Sequence, residues 1–426
     1  MPDHTAGYVF FRVIFRGGSL LDPPGSPGLM VLAANAVLLG TRRRSRAEFL
    51  DALDELGASL DVAVYREQVA FEGEVLTRHL PAFVELLAEA LAEPAFDPGE
   101  VERLARRTAA ELEQVADSDE ALVALAHHDH VFRGSAFARQ TRGLPHTVVH
   151  VTAAQLREIW TQSISRTTAV VASAGDLTLE ETERYGRIAL AGVGSAEVEI
   201  PAPPMPVLPA GLSILLVDKP DRTQTQVAWG HPCIPANHPD LLALSVANTA
   251  LGGTFTARLM HEIREKRGWS YGAYSRISSD AIVGSFSARY YPATKDTLPA
   301  LELGRQLLTD FAANGMRDEE LEFTRSYLEN SFPFVVETAA KRLTAQLEVE
   351  ATGRPHDYLE TYLDKLAQVT LAEANAAARA HIHPHALALT IVCTASDLEP
   401  ALRAWPGVRE LTVVPYDALW QAVEQG

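Results

Sequence analysis

The sequence predicts an α+β protein of two homologous domains, each a mainly antiparallel β-sheet covered on one face by α-helices. Three features lead there: an internal duplication, a proline-dense segment at mid-chain, and alternating apolar runs interleaved with helical periodicity. Leu242–Thr254 aligns without a gap on Leu29–Thr41, at an offset of half the 426-residue length. A second match follows, because Leu80-Pro-Ala-Phe83 and then residues 96–114 are echoed by Leu298-Pro-Ala-Leu301 and residues 316–334. One long period of this kind means two copies of a domain, since solenoid units recur every ~20–50 residues. Between the copies, Pro201-Ala-Pro-Pro-Met-Pro-Val-Leu-Pro209 has few amide hydrogens to offer a sheet ladder and reads as a semi-rigid linker. The domains are therefore placed at residues 1–200 and 211–426, joined by a linker at 201–210.

In the first domain, Tyr8–Phe15 alternates as a strand and Gly17-Gly18 breaks it. The helix that follows, residues 28–40, is apolar apart from Asn35; Ser26 is expected to cap it, Pro27 to take its first position and Gly40 to end it. Ser45-Arg-Ala-Glu48 is a capping box opening a helix with Phe49, Leu50, Leu53 and Leu56 inward and Gly57 as its stop. Leu60–Val64 and Val69–Phe71 read as paired strands, Leu80–Leu91 and the segment opened by Asp97-Pro-Gly-Glu100 as helices, and Ser163–Ala174 as a closing strand. The second domain repeats this order with strands Ser213–Val217 and Gln226–Gly230 and then the copied apolar helix. Its next helix runs from Phe255 to Arg267, with Phe255, Leu259 and Ile263 on one face and Lys266 and Arg267 at the favourable C-terminal end. Gly268 stops it, and Trp269-Ser-Tyr-Gly-Ala-Tyr274 reads as an aromatic strand turning back into Ile282–Tyr290.

Composition narrows the function. Hydrophobic residues make up 47% of the chain, ample for two cores. A net charge of −18 argues against a nucleic-acid backbone as partner, and Arg42-Arg43-Arg44 reads as a solvated turn. Cys233 and Cys393, one in each half, form neither a disulfide framework nor a C-x-x-C motif and read as buried thiols. The longest apolar run, residues 28–40, is too short to span a bilayer, and no cationic start with an apolar signal core precedes it. A cytoplasmic location is the default, with a periplasmic one if an upstream signal segment has been removed. Two histidine clusters stand out. His127-His-Asp-His130 lies near the end of a predicted helix with His127 and His130 on one side, and His381-Ile-His-Pro-His385 is a turn before the strand Leu387–Cys393. Neither reads as a functional metal site.

The frame Gly28-Leu29 to Gly40-Thr41, together with the run Leu251-Gly-Gly-Thr-Phe-Thr-Ala-Arg-Leu-Met-His-Glu-Ile-Arg-Glu-Lys-Arg-Gly-Trp-Ser-Tyr271, resembles the pitrilysin, insulinase and mitochondrial processing peptidase family. These are the inverzincin metallopeptidases, whose motif is H-x-x-E-H. The resemblance extends over nearly the entire chain and implies the sandwich domains of that family. It also implies a strand ahead of the one at Tyr8, so the first sheet is expected to be one strand short. On the family motif, Val31 and Asn35 fall where the zinc-binding histidines stand, Ala34 where the general-base glutamate stands, and Glu111 where the third ligand stands. A catalytic zinc needs three nitrogen, oxygen or sulfur donors and an open position. Valine has no donor, a carboxamide is a poor substitute for imidazole, and Ala34 cannot accept a proton. No zinc is expected in this chain, and no peptidase activity from the chain alone. Taken only as a residue, Glu111 is an exposed carboxylate a turn beyond Arg106 and Arg107. Asn35 and Asn248 hold equivalent repeat positions and are expected to share one packing or hydrogen-bonding task.

The second motif is intact. The resemblance implies that Arg264, in the last turn of its helix, and Tyr271, in the following strand, hold a substrate carbonyl and stabilise the oxyanion of the tetrahedral intermediate at an active site in the opposite half of a clamshell. Without the resemblance, Arg264 only complements a helix C-terminus and Tyr271 is a half-buried strand aromatic. The expected protein is the non-zinc subunit of a two-chain zinc metallopeptidase. Its partner is a homologous chain that carries intact H-x-x-E-H and the zinc, its substrates are unfolded peptides bound partly as an added strand, and in isolation either a monomer or a homodimer is open to it. The alternative is a non-catalytic scaffold or peptide-binding subunit similar to the core proteins of respiratory complexes.

Overall fold

The computed structural model describes residues 7–424. It forms two compact units, one of Met1–Glu113, Arg139–Ala202 and Phe334–Glu348, the other of Gln114–Ala138, Pro203–Pro333 and Val349–Gly426. Each unit is built on one sheet. The first has β1 (Tyr8–Arg16), β2 (Ser59–Val64), β3 (Gln68–Leu76) and β4 (Ala169–Gly175) in the order β2-β3-β1-β4, antiparallel throughout. The second has β5 (Leu212–Asp218), β6 (Gln226–Cys233), β7 (Ala273–Ser279), β8 (Gly284–Tyr290), β9 (Leu387–Cys393) and β10 (Val408–Pro415), ordered β10-β5-β9-β6-β8-β7. The run β7-β8-β6-β9 repeats β2-β3-β1-β4 strand for strand, so the duplication seen in sequence is a duplication of topology. β5 and β10 are additions, parallel beside β9, with no counterpart in the four described strands of the first sheet.

Helices then follow the predicted order: α1 (Leu29–Val37), α2 (Arg46–Glu55), α3 (Leu80–Ala92), α4 (Pro98–Glu113) and α5 (Asp119–Phe132). Alternation sets the faces. β1 buries Val9, Phe11, Val13 and Phe15 completely on one side, where Phe15 and Trp160 both meet Phe71 edge-on. In the second unit Trp229, Phe286, Ala288 and Tyr290 point into a core with Leu244, Leu251, Leu259 and Ile263. The polar atoms carried into that core are matched, since Trp229 Nε1 donates to Tyr290 Oη at 2.7 Å and Tyr290 Oη donates to the Ala300 carbonyl at 3.2 Å. The opposite sheet faces are also partly covered. Leu343 and Leu347, on the helix Ala339–Ala351, lie against Ile14, Ala70 and Ala174, while Leu122, Val123 and Ala126 of α5 lie against Leu215, Val217, Ala228 and Val392. No helix among the described residues is long and apolar enough to cross a membrane.

Several local expectations change. The capping box of α2 forms as predicted, with Ser45 and Glu48 exchanging bonds. Its buried residues are only Phe49 and Leu53, however, and Leu50 is 43% exposed because this short helix meets the core along a single narrow stripe. The closing strand begins at Ala169, later than read, since Ser163 ends the helix Ala153–Ser163 and Arg166–Thr168 form a 3₁₀ turn. α1 is not capped by Ser26, nor does Pro27 open it. Its N-cap is Gly28, in the left-handed region at φ 91°, where an added Cβ would approach the backbone of Arg142 and Gly143 to within 2.9 Å. The Asp22 carboxylate does the capping from outside, accepting from the amides of Gly28 at 2.8 Å and Met30 at 2.7 Å.

Burial pushes the Asp22 carboxyl up to about 7, against the downward pull of the Met30 and Gly28 amides and of Arg139. Because the folded value lies above the unfolded one, the folded chain binds a proton that the unfolded chain has released. That contribution is present near pH ~4 and is lost as pH rises through about 7. Urea unfolding of the natural chain and of Asp22→Asn at several pH values should therefore show the natural chain losing stability relative to the variant across this window; parallel curves would contradict it.

Candidate functional site

The first copy of the repeated helix holds no ligand set. Val31 is half-buried, Ala34 is fully enclosed, and the Asn35 side chain donates from Nδ2 to the Val31 carbonyl at 2.8 Å, which commits it to its own helix. Glu111 lies on the exposed side of α4 in ion pairs with Arg142 at 2.5 Å and Arg107 at 3.7 Å. These four residues offer one carboxylate, already ion-paired, and no imidazole or thiolate, so they do not fit a zinc ion. Asn35 and Asn248 do not share a task. Asn248 donates away from its helix to the Ser275 carbonyl at 3.3 Å, because in the second copy β7 runs close beside the helix, and its Oδ1 is buried without a partner among the described residues.

The histidine clusters resolve differently. His127 and His130 do share one side of α5, and both Nδ1 atoms lie 3.1 Å from Thr390 Oγ1, while His130 Nε2 meets Ser213 Oγ at 2.8 Å. Both are buried; burial lowers His127 and brings His130 down to about 3, so each is a neutral core residue. His381 ends the helix Leu371–His381, with Nε2 2.8 Å from Asp240 Oδ2, and with His238 these two make the convergent metal-capable group among the described residues. Sequence reasoning missed this group because its members are distant in the chain. Cys233 and Cys393 are free and buried, and burial raises their thiols to about 11 and about 12.

The second motif has a different character. Its helical stretch passes into a π-turn, Met260–Glu265, and Gly268 then reverses the chain at φ 65°. Ile263 points into the core. The expected helix from Phe255 is not continuous with this turn: after Gly252-Gly253 the chain is irregular, and Phe255 is 56% exposed instead of facing inward. Tyr271 lies in the loop before β7, not in a strand, and is 83% exposed. These two rings hold Arg264 between them, with its guanidinium carbon 4.3 Å from the Phe255 centroid and 5.3 Å from that of Tyr271. Neighbouring cations are neutralised, since Arg258 pairs with Glu320 at 2.6 Å and Lys266 and Arg267 pair with Glu262 at 2.6 and 2.8 Å. Arg264 has no ion pair and no side-chain hydrogen bond among the described residues. Both rings approach the guanidinium carbon, and its N–H groups carry no hydrogen bond among the described residues, beside a largely exposed phenol; such a pair can receive a carbonyl oxygen or an oxyanion. Phe255 was missed as a member of this site, although the two glycines before it were the signal that no regular helix could carry it inward.

Two family models match the chain, "Insulinase (Peptidase family M16)" over residues 2–143 and "Peptidase M16 inactive domain" over residues 150–328. Among similar curated proteins, the "Non-peptidase homolog YmxG" of Helicobacter pylori is 26% identical over 92% of this chain and 90% of its own length. An uncharacterized zinc protease of Streptomyces coelicolor is 26% identical over 87% of this chain and 81% of its own. The crystal structure of a peptidase M16 inactive domain from Pseudomonas fluorescens superposes with a TM-score of 0.83 at 22% identity, covering 92% of this chain and 94% of that one. Two consecutive matches to models of one family, spanning most of residues 2–328, place the chain: it belongs to the M16, or insulinase, family of peptidases.

Proposed function

We propose that this chain is the non-zinc subunit of a two-chain M16 peptidase. In this reading a homologous partner carries intact H-x-x-E-H and the zinc, and this chain supplies Arg264 and Tyr271 to peptide held in a clamshell chamber. The observation that carries the reading is the Arg264 guanidinium, without an ion pair among the described residues although Arg258, Lys266 and Arg267 are paired, and in contact with the rings of Phe255 and Tyr271. Holding a cation this way has a cost in side-chain freedom and forgoes a salt bridge, which is reasonable where a carbonyl oxygen gaining negative charge will arrive. The role of the pair is to bind the substrate carbonyl and to strengthen that contact as the oxygen becomes an oxyanion, the guanidinium giving fixed cationic donors and the phenol one more. The poor donor set at Val31, Ala34, Asn35 and Glu111 supports assigning the metal to the partner, and a similar protein of nearly the same length is named a non-peptidase homolog.

Mixing this chain with a homologue that carries H-x-x-E-H should restore peptide cleavage. Arg264→Ala or Tyr271→Phe in this chain should then lower kcat/KM by about 10²- to 10³-fold while the chains still associate. Full activity of both variant mixtures would sink the assignment. For Glu111→Gln, metal analysis should find the zinc content of the isolated chain unchanged, and urea unfolding should shift by no more than about 1 kcal/mol, as expected for a surface ion pair.

A further inference from the structure

We infer that the open face of β7 and β8 is a receptor for acidic side chains of an extended peptide, with Arg276 and Arg289 as the carboxylate-binding groups. The inference deepens the preceding reading by naming a substrate class, and it rests on that reading for the identification of the ligand as a peptide. β8 and β7 are the last two strands at one margin of the second sheet. Ala273, Phe286, Ala288 and Tyr290 point into the core from one face. By alternation the other face carries Tyr274 and Arg276 on β7 and Ser285, Ser287 and Arg289 on β8. The register sets Tyr274 opposite Arg289 and Arg276 opposite Ser287, which makes the two arginines diagonal neighbours, ~7–8 Å apart along the backbone.

On this same face α5 covers β5, β9 and β6 through Leu122, Val123 and Ala126, but its apolar contacts do not extend over the tyrosine and arginine positions of β7 and β8. An open strip remains, bordered by α5, whose Glu120 and His127 both feel the charge of Arg289. Neither Arg276 nor Arg289 has an ion pair or a side-chain hydrogen bond among the described residues. The chain has 55 acidic residues against 37 lysines and arginines, so partners are plentiful, and Arg258, Arg267, Arg317 and Arg403 of the same unit are all paired. Arg289 is moreover half-buried: burial disfavours its charge, Tyr291 and Glu120 offset part of that cost, and Arg276 adds a smaller like-charge repulsion. A partly desolvated cation beside a second one is an unfavourable arrangement that an arriving carboxylate relieves, with bidentate geometry available to each guanidinium. A polyphosphate backbone is a poor occupant for a protein of charge −18, whereas Tyr274 and Tyr291 supply the aromatic surface that suits a peptide.

The test is fluorescence anisotropy of the intact chain with two labelled extended peptides that differ only in having Glu or Gln at the central positions. The Glu peptide should bind about tenfold more tightly, with the difference shrinking as salt rises. Arg276→Gln/Arg289→Gln should abolish the preference, and Arg289→Lys should keep part of it. Thermal melting checks that the variants fold; if the double variant does not, exposed Arg276→Gln alone should cut the preference measurably. Equal affinity for the two peptides, no binding of the Glu peptide up to roughly 1 mM, or an undiminished preference in a folded variant would overturn the inference. No partner chain and no cleavage enter this measurement. Its failure would leave the Arg264–Tyr271 reading standing, and failure of the cleavage experiment would leave this one intact.

Discussion

The constraint on which most of the second unit depends is that its sheet is apolar on both faces. Every residue of β9 is buried, and β5 alternates between two cores: Ile214 and Leu216 face one, and Leu215 and Val217 the other. A central parallel pair of this kind must be covered twice. One cover is the duplicated set of helices, and the other is α5, which is encoded in the first half of the chain. α5 seals β5, β9 and β6, and it brings two neutral histidines with it, which bond Thr390 and Ser213 while His127 Nε2 is left without a partner among the described residues. Where its apolar side chains end, the strands change character to serine, tyrosine and arginine. The boundary between core and candidate binding surface is therefore drawn along one sheet face by the extent of one helix.

The repeated helix shows how a shared frame can carry two different local solutions. In the first copy, α1 is closed in on nearly all sides, and its one polar side chain turns back onto its own carbonyl. A helix so enclosed leaves its N-terminal amides without water, and the buried Asp22 carboxylate meets that need from outside the helix. In the second copy the helix Leu241–Asn248 runs on into a π-turn, Thr249–Gly253, and Asn248 reaches a neighbouring strand. A second π-turn carries Arg264. An extra residue in a helical turn rotates the following side chains, and here that leaves Ile263 in the core and Arg264 between two exposed rings.

Much of the fold was readable from the chain. The alternation at Tyr8–Phe15 and the capping box at Ser45 are local signals, and local signals survive folding when packing agrees with them, while the half-length offset is a match of residue identities that needs no packing to be seen. The departures have separate causes: Ser26 gives way to Gly28, which lies too close to Arg142 and Gly143 for a side chain, Leu50 to the narrow buried stripe of a short helix, and Phe255 to the irregular chain after Gly252-Gly253. Arg264 and Tyr271 are legible in the chain as candidates, but the arrangement the structure gives them is not, because spacing alone puts Phe255 in the core and Tyr271 in a strand.

By itself the sequence determined that there are two copies of one α+β domain, that the first copy's helix lacks metal donors at Val31, Ala34 and Asn35, and that the net charge is strongly negative. These are properties of residue identity and period, which do not depend on how the chain is folded. Only the tertiary structure decided which charges are spent and which are free. Glu111, Arg258 and Arg267 are neutralised by partners, while Arg264, Arg276 and Arg289 are left without them among the described residues. The reason is geometric: an ion pair needs its two groups within about 4 Å, and that distance is set by turns, registers and helix ends that join segments far apart in the chain.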